Sequence, residues 1–247
     1  MPDDSIATLL LNRPEKRNAL SPEVLQGLID RCTTLAADPS IRVVVLRGEG
    51  PDFCAGADLG RFLPALTGPD REQQADLGRR AAEAIENLPQ ATLARVQGNC
   101  VGGGVVLAAA CDLVVASQSA RFRVPEVALG IPLAWGGTTR LVHACGPKIT
   151  ADLVLTARWF DAEEARTIGL ISRVVTEEAL DAEVQSTALA LADRARLPVR
   201  TTKAQIRRAL SGHPDDPADA DALLEALSDP ECMAAAQRGF AGRWKGS

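Results

Sequence analysis

The chain has 247 residues, of which 46% are hydrophobic, 24% are charged and 3% are aromatic. This composition is typical of a folded globular protein, and it excludes a disordered tail, a collagen-like repeat and a small disulfide-held domain. The 27 basic and 32 acidic residues give a net charge of −5. That balance argues against a nucleic-acid partner, because phosphate backbones require a basic surface.

The cysteines and the N-terminus indicate a cytoplasmic protein without a metal centre or a membrane partner. The six cysteines show no CxxC spacing and only two histidines accompany them, so we expect no zinc site. The opening MPDDSIATLL places acids before its apolar run, which is unlike a signal peptide. No apolar run approaches the roughly 18 residues of a membrane span. We therefore expect reduced thiols and a cytoplasmic location.

Up to about residue 175 the chain alternates between short apolar runs and helical patterns. The clearest helix start is Ser21-Pro22-Glu23, which offers a capping serine, a proline at the first helical position and an acid near the positive end. The predicted strands are 6–11, 41–46, 92–96 and 113–116, and the predicted helices are 24–35, 73–88 and 105–110. This alternation predicts an α/β fold with right-handed crossovers.

The last part of the chain is almost entirely helical in pattern. The predicted helices are 180–195, 198–210, 221–227 and 231–244, and a proline-containing loop separates the middle two at 211–219. We therefore expect a core region at 1–176 and a helical region at 177–247.

Two segments are rich in small residues. FCAGADL at 53–59 and GNCVGGG at 98–104 can leave backbone N–H groups open to a ligand. Alone, the first favours an ordinary tight turn. The second is equally compatible with an anion at a helix N-terminus and with close helix packing. It has neither GxxxxGK[ST] nor GxGxxG spacing, so it is not a nucleotide-binding loop of those kinds.

Glu126 is the strongest acid–base candidate. It lies in FRVPEVALGIP at 122–132, where apolar neighbours would dehydrate the carboxylate and raise its pKa toward the range of a general base. The alternative is a surface glutamate in the first turn of a helix after Pro125. Two sources of open amides and one dehydrated carboxylate are the groups that enolate chemistry at a thioester requires.

Taken together and in order, these motifs resemble the enoyl-CoA hydratase/isomerase (crotonase) superfamily. The matching stretches are LNRPEKRNALS at 11–21, FCAGADL at 53–59, GNCVGGGVVLAAACDLVVAS at 98–117, FRVPEVALGIP at 122–132, GGTTRL at 136–141 and FDAEEARTIGLISRVV at 160–175. The resemblance implies an α/β spiral of ββα units of the ClpP/crotonase type, followed by a C-terminal helical trimerisation region. It also implies an acyl-CoA substrate, no tightly bound cofactor, and a homotrimer or a dimer of trimers.

The resemblance further implies roles for individual residues. The two oxyanion-hole amides fall on Ala57 and Gly103, and the glutamate of the Pro-Glu motif falls on Glu126. The coenzyme would be bound by the turn at 16–19 and the loop at 55–59. The residues expected to bind it are Lys16, Arg17, Ala19, Ala55, Ala57, Asp58, Leu59 and Gly103.

Two departures from the family pattern bear on the reaction. Val106 stands where hydratases carry a second glutamate, and Ala134 stands where some dienoyl-CoA isomerases and dehalogenases carry an acid. Since valine can neither activate water nor deliver a proton, hydration by two carboxylates is disfavoured. We expect Glu126 alone to move a double bond between the 3- and 2-positions. A slow or atypical hydratase, another acyl-CoA reaction such as thioester hydrolysis, and a non-catalytic acyl-CoA binding protein are the alternatives.

Other candidates have weaker patterns. Trp135 is more consistent with packing than with lining an acyl pocket. Asp58 is expected to cap or brace its loop, and Cys54 has no histidine near it in sequence. From the resemblance, the C-terminal region can contact the coenzyme of a neighbouring subunit, and its candidates are Arg238, Phe240, Trp244 and Lys245.

Overall fold

The computed structural model describes residues 2–212 and 218–243. The strands in these residues are β1 (Ile6–Leu11), β2 (Val43–Gly48), β3 (Ala91–Val96), β4 (Asn99–Val101), β5 (Leu113–Ser117), β6 (Arg121–Arg123), β7 (Trp159–Asp161) and β8 (Arg173–Val175). The α-helices are α1 (Pro22–Ala36), α2 (Leu59–Ala65), α3 (Arg71–Glu86), α4 (Gly103–Ala109), α5 (Gly137–Thr156), α6 (Ala162–Thr167), α7 (Leu180–Ala192), α8 (Arg196–Leu210), α9 (Ala218–Ser228) and α10 (Pro230–Arg243). Short 3₁₀ turns lie at Pro2–Ser5, Pro14–Lys16 and Val127–Leu129.

A five-stranded parallel sheet forms the centre, in the order β1-β2-β3-β5-β8. Its strands are short apolar runs, as expected for a sheet covered on both faces. Alternate side chains point to opposite faces. Leu46 and Val96 pack with α1 and α3 on one face, whereas Val45 and Leu93 pack with α7 on the other.

A second sheet is small and lies beside the first. It has the order β4-β6-β7, with β4 and β6 parallel and β6 and β7 antiparallel. Phe122 and Phe160 stack within it at 5.5 Å between ring centroids. Along the chain, β3, β4 and α4 follow one another as a ββα unit, and β5, β6 and α5 form the next. The predicted α/β alternation is therefore confirmed.

Several predicted boundaries need correction. The strand expected at 41–46 is β2 at Val43–Gly48, because residue 41 lies in the turn that follows α1. The helix expected at 73–88 begins earlier, and α2 precedes it. The sequence did not predict α2 because it contains Gly60 and Pro64, and both residue types disfavour a helix interior. The division at residues 176 and 177 stays a prediction, and Trp244 and Lys245 lie outside the described residues.

No helix within 2–212 and 218–243 is long and apolar enough to cross a membrane.

A buried lysine attaches α8 to the central sheet. Lys203 is 7% exposed. Its Nζ donates to the Gln90 carbonyl at 2.7 Å and pairs with the Asp112 carboxylate at 2.6 Å. Burial lowers the pKa of Lys203, and the nearby Asp112 opposes that change. The pair fixes α8 to the loops that precede β3 and β5.

We expect Lys203→Met to reduce the free energy of unfolding by about 2 kcal/mol, because the change leaves a buried carbonyl without its donor. Urea denaturation measures the loss. Lys148→Met is the matched control, since Lys148 is exposed, and it should change stability by less than about 0.5 kcal/mol. Equal effects of the two changes would contradict this account of how α8 is held.

Candidate active site

The loop at 53–58 lies directly against the beginning of α4. The Cys54 amide donates to the Asn99 carbonyl at 3.0 Å, and the Val101 amide donates to the Cys54 carbonyl at 2.9 Å. Gly56 has φ of +88°, and a Cβ there would lie 2.9 Å from the Val101 carbonyl oxygen and 3.7 Å from the Gly103 nitrogen. Only glycine fits this approach without strain. Ala57 is thereby brought next to the N-terminus of α4.

Two backbone N–H groups are left open at this junction. On either side of Ala57 the backbone is paired: the Leu20 amide donates to the Gly56 carbonyl at 2.8 Å, and the Asp58 amide donates to the Leu20 carbonyl at 2.9 Å. In the described part of the chain, the amides of Ala57 and Gly103 donate to no protein acceptor. Gly103 is the first residue of α4, where N–H groups have no partner within the helix.

Glu126 stands beside these amides. It follows buried Val124 at the end of β6 and begins the 3₁₀ turn at Val127–Leu129. A Cβ on Gly102 would overlap the Glu126 carboxylate, so the carboxylate lies against the residue that precedes Gly103. Its Oε2 atom is buried without a hydrogen-bond partner among the described residues. Burial raises the pKa of Glu126, and a hydrogen bond from its own backbone amide partly opposes the increase.

These groups share an apolar cavity of about 210 Å³. Its lining residues are Ala57, Leu59, Phe62, Leu63, Leu66, Ala75, Gly103, Val106, Glu126, Ile131, Pro132, Leu133, Ala134 and Trp135. Glu126 is the only ionisable side chain among them. Val106 and Ala134, the two departures from the family pattern, both face this cavity, and so it holds no second carboxylate.

The structure brings together part of the predicted set of residues. Ala57, Leu59, Gly103 and Glu126 line the cavity. The turn at 16–19 packs against the loop at 55–59, with the Ala55 amide donating to the Arg17 carbonyl at 2.9 Å. Lys16 and Arg17 are exposed there, outside the cavity.

Arg13, which no motif in the sequence singled out, joins these two segments. Its guanidinium donates to the Ala19 carbonyl at 2.8 Å and to the Asp58 carboxylate at 3.0 Å. Asp58 therefore braces the loop, as one of the two expectations had it, and makes no side-chain capping bond to α2. Arg13 and Asp58 lie 45 residues apart in sequence, so no local pattern could reveal their contact.

Trp135 packs against Phe62 and also lines the cavity. The expectation that it serves packing rather than the acyl pocket is therefore corrected. Its ring is 5.5 Å from that of Phe62, and both rings face the cavity. No sequence pattern predicted the contribution of α2, whose Phe62 and Leu63 form part of the wall.

Cys54 is unsuited to act as a nucleophile. Its thiol is buried and donates to the Asn18 carbonyl at 3.2 Å, while it accepts from the Gly56 amide at 3.4 Å. Burial raises the pKa of Cys54 to about 12, so the reactive thiolate is absent near neutral pH. The thiol instead helps to hold the loop that carries Ala57.

Comparisons with known proteins agree with this architecture. The family model described as enoyl-CoA hydratase/isomerase matches residues 2–240. The crotonyl-CoA hydratase of Syntrophomonas wolfei is 36% identical over 203 residues, which cover 82% of this chain and 78% of that protein. The peroxisomal Delta(3,5)-Delta(2,4)-dienoyl-CoA isomerase of Arabidopsis thaliana is 34% identical over 218 residues, which cover 83% of this chain and 78% of that protein.

Solved structures give the same result. The crystal structure of an enoyl-CoA hydratase/carnithine racemase from Magnetospirillum magneticum matches 97% of this chain and 90% of its own, with a TM-score of 0.90 and 33% identity. The chain belongs to the enoyl-CoA hydratase/isomerase family and has the crotonase fold that the resemblance implied. It is an enzyme of this family, whose members act on acyl-CoA.

The contact between Gly102 and Glu126 can be tested by stability. We expect Gly102→Ala to reduce the free energy of unfolding by about 3 kcal/mol, because φ of +52° with ψ of −116° is a conformation that only glycine adopts without strain and because the methyl group would displace the Glu126 carboxylate. Gly130→Ala is the matched control: φ is +78° but a Cβ there would meet nothing within 4 Å, so only about 1 kcal/mol should be lost. Equal losses in urea denaturation would contradict this account of the Gly102 position.

Proposed function

We propose that this enzyme moves the double bond of an enoyl-CoA thioester between the 3- and 2-positions. One observation carries the proposal: a single carboxylate with a buried, unpartnered oxygen lies beside two open amides, in a cavity that holds no second acid. One-base chemistry requires such a set, whereas hydration by a pair of carboxylates requires one more acid.

In the proposed reaction, the thioester oxygen accepts hydrogen bonds from the N–H groups of Ala57 and Gly103. Glu126 removes a proton from C2, and the electrons of that C–H bond move into the carbonyl to give a dienolate. The protonated Glu126 then returns the proton at C4, and the remaining double bond lies between C2 and C3. Each N–H group that points at the oxygen contributes about 3 kcal/mol to the stability of the charged intermediate.

The apolar surroundings of Glu126 support this role. A carboxylate with a raised pKa is a stronger base when it is ionised, and its conjugate acid gives the proton back. The apolar lining of the cavity also strengthens the hydrogen bonds to the dienolate oxygen. In this proposal the reaction needs no cofactor beyond the coenzyme A of the substrate, and the exposed Lys16 and Arg17 would bind its phosphates.

Hydration is the second candidate, since the Syntrophomonas relative is named a crotonyl-CoA hydratase. In this chain Glu126 would have to hold and activate the water alone, because the facing residue is Val106. We expect such a reaction to be slow. A non-catalytic acyl-CoA binding protein would retain the affinity for the thioester and show neither reaction.

The exposed leucines of α9, Leu223, Leu224 and Leu227, favour self-association through the helical region.

Replacing the base is the direct test of the proposal. We expect Glu126→Gln to slow the conversion of 3-enoyl-CoA to 2-enoyl-CoA by about 10²- to 10⁴-fold, because the amide cannot accept the proton. Affinity for a saturated acyl-CoA should stay within about threefold. Glu163→Gln, at an exposed position on α6, is the matched control and should keep the full rate.

The same assay separates the alternatives. An unchanged isomerisation rate in Glu126→Gln would exclude Glu126 as the base. Hydration of 2-enoyl-CoA that exceeds isomerisation in the unaltered enzyme would favour the hydratase. Tight binding with no turnover of either substrate would favour the non-catalytic protein.

The raised pKa of Glu126 predicts the pH dependence. Only the ionised carboxylate accepts a proton, so kcat/KM should rise with pH as the Glu126 carboxyl group loses its proton. Since burial moves the pKa of Glu126 upward from the ordinary 4.5, the midpoint of the acid limb should lie above that value. A rate that stays constant from pH 7 down to about 4.5, measured where the protein remains folded, would contradict a buried base.

A further inference from the structure

The cavity wall has a consistent chemical character. Beyond Glu126 and the two amides, its lining residues carry no hydroxyl, amide or charged side chain. Apart from the catalytic groups, a second carboxylate or a hydroxyl on the acyl group would lose its hydration there and could gain at most the Trp135 indole N–H as a partner, which is costly. The part of the substrate that enters this cavity should therefore be uncharged and apolar.

Trp135 closes the cavity on one side. A Cβ on Gly78 of α3 or on Gly103 of α4 would overlap its indole ring, so the ring lies against both helices. Phe62 of α2 packs on it at 5.5 Å between ring centroids, with the planes inclined by 47°. The ring is thus held between three helices and lies immediately beside one of the two amides.

The backbone of Trp135 is also held in place. Its φ is +60°, a conformation that bulky residues rarely adopt and that persists only where the surroundings impose it. The Arg140 guanidinium donates to the Trp135 carbonyl at 3.0 Å and to Glu86 at 2.5 Å. The Arg140 side chain is 10% exposed. Trp135 is therefore a fixed wall, which an incoming acyl chain cannot easily displace.

The volume limits how much of an acyl chain can be buried in front of this wall, because the cavity opens to solvent where Leu63 and Ile131 are exposed. An apolar cavity of about 150 Å³ holds one benzene molecule, so about 210 Å³ has room for roughly eight non-hydrogen atoms. Three of these places belong to the thioester group. We propose that Trp135 is a specificity-determining residue that limits the buried part of the acyl group to a short, uncharged chain of about six carbons. The inference rests on one part of the proposed function, the placing of the substrate's acyl group in this cavity, and not on the reaction that follows.

The test measures binding of butanoyl-, hexanoyl-, octanoyl- and decanoyl-CoA by titration calorimetry. These saturated thioesters share the coenzyme and differ only in chain length. Each methylene accepted into an apolar pocket adds roughly fourfold in affinity. In the unaltered enzyme, affinity should rise to hexanoyl-CoA and then rise no further, because the additional methylenes of octanoyl- and decanoyl-CoA stay in solvent. In Trp135→Ala, decanoyl-CoA should become the tightest ligand.

Two further variants control the result. Trp135→Phe should shift the preferred length in the same direction by a smaller amount, and it serves if Trp135→Ala fails to fold, as judged by its thermal midpoint. Trp159→Phe should leave the profile unchanged, because Trp159 is exposed on β7 and packs on Arg123. Succinyl-CoA, which carries a carboxylate at the end of a four-carbon chain, should bind at least about tenfold more weakly than butanoyl-CoA.

Two results would overturn the inference: affinity that keeps rising through decanoyl-CoA in the unaltered enzyme, or a length profile that neither Trp135 variant changes. Binding of succinyl-CoA as tight as that of butanoyl-CoA would refute the uncharged class. Since the probes are not turned over, these results do not depend on the reaction. An enzyme without isomerase activity whose length profile still follows Trp135 would refute the proposed function and leave this inference standing.

Discussion

The close approach of two backbone segments determines the rest of the site. The loop at 53–58 lies within contact distance of the N-terminus of α4, and Gly56 permits this because it has no side chain. A parallel backbone bridge between Cys54 and Cys100 holds the loop in register with the small sheet. Any side chain at Gly56 would meet the Val101 carbonyl and separate the two segments. Two open amides therefore lie close together because the loop and the helix touch.

The same requirement explains the glycine triplet that opens α4. Each member faces a different neighbour: Gly102 faces the Glu126 carboxylate, Gly103 faces the Trp135 ring, and Gly104 faces Cys54. Glycine disfavours helices by about 1 kcal/mol per residue, and here close packing on three sides accounts for its presence. The two interpretations of the triplet, packing and an open amide, describe the same structural arrangement.

The sequence predicted the central fold because its signals were local. Ser21 accepts from the Val24 amide at 3.4 Å and begins α1 as expected, and the four predicted strands of the main sheet are present. The three-residue strands of the second sheet were missed because they are too short to show a period. The wall formed by Trp135 was missed because its place depends on Gly78, 57 positions earlier, and on a φ that the sequence does not display. Contacts between distant segments leave no local pattern.

The central claim is that the amides of Ala57 and Gly103 bind one thioester oxygen while Glu126 faces the adjoining carbons. A crystal structure with butanoyl-CoA bound tests it most directly. The account predicts that the thioester oxygen lies about 3 Å from both nitrogen atoms, with the Glu126 carboxylate in contact with C2. An oxygen that faces solvent, or a carboxylate turned away from the acyl chain, would contradict it.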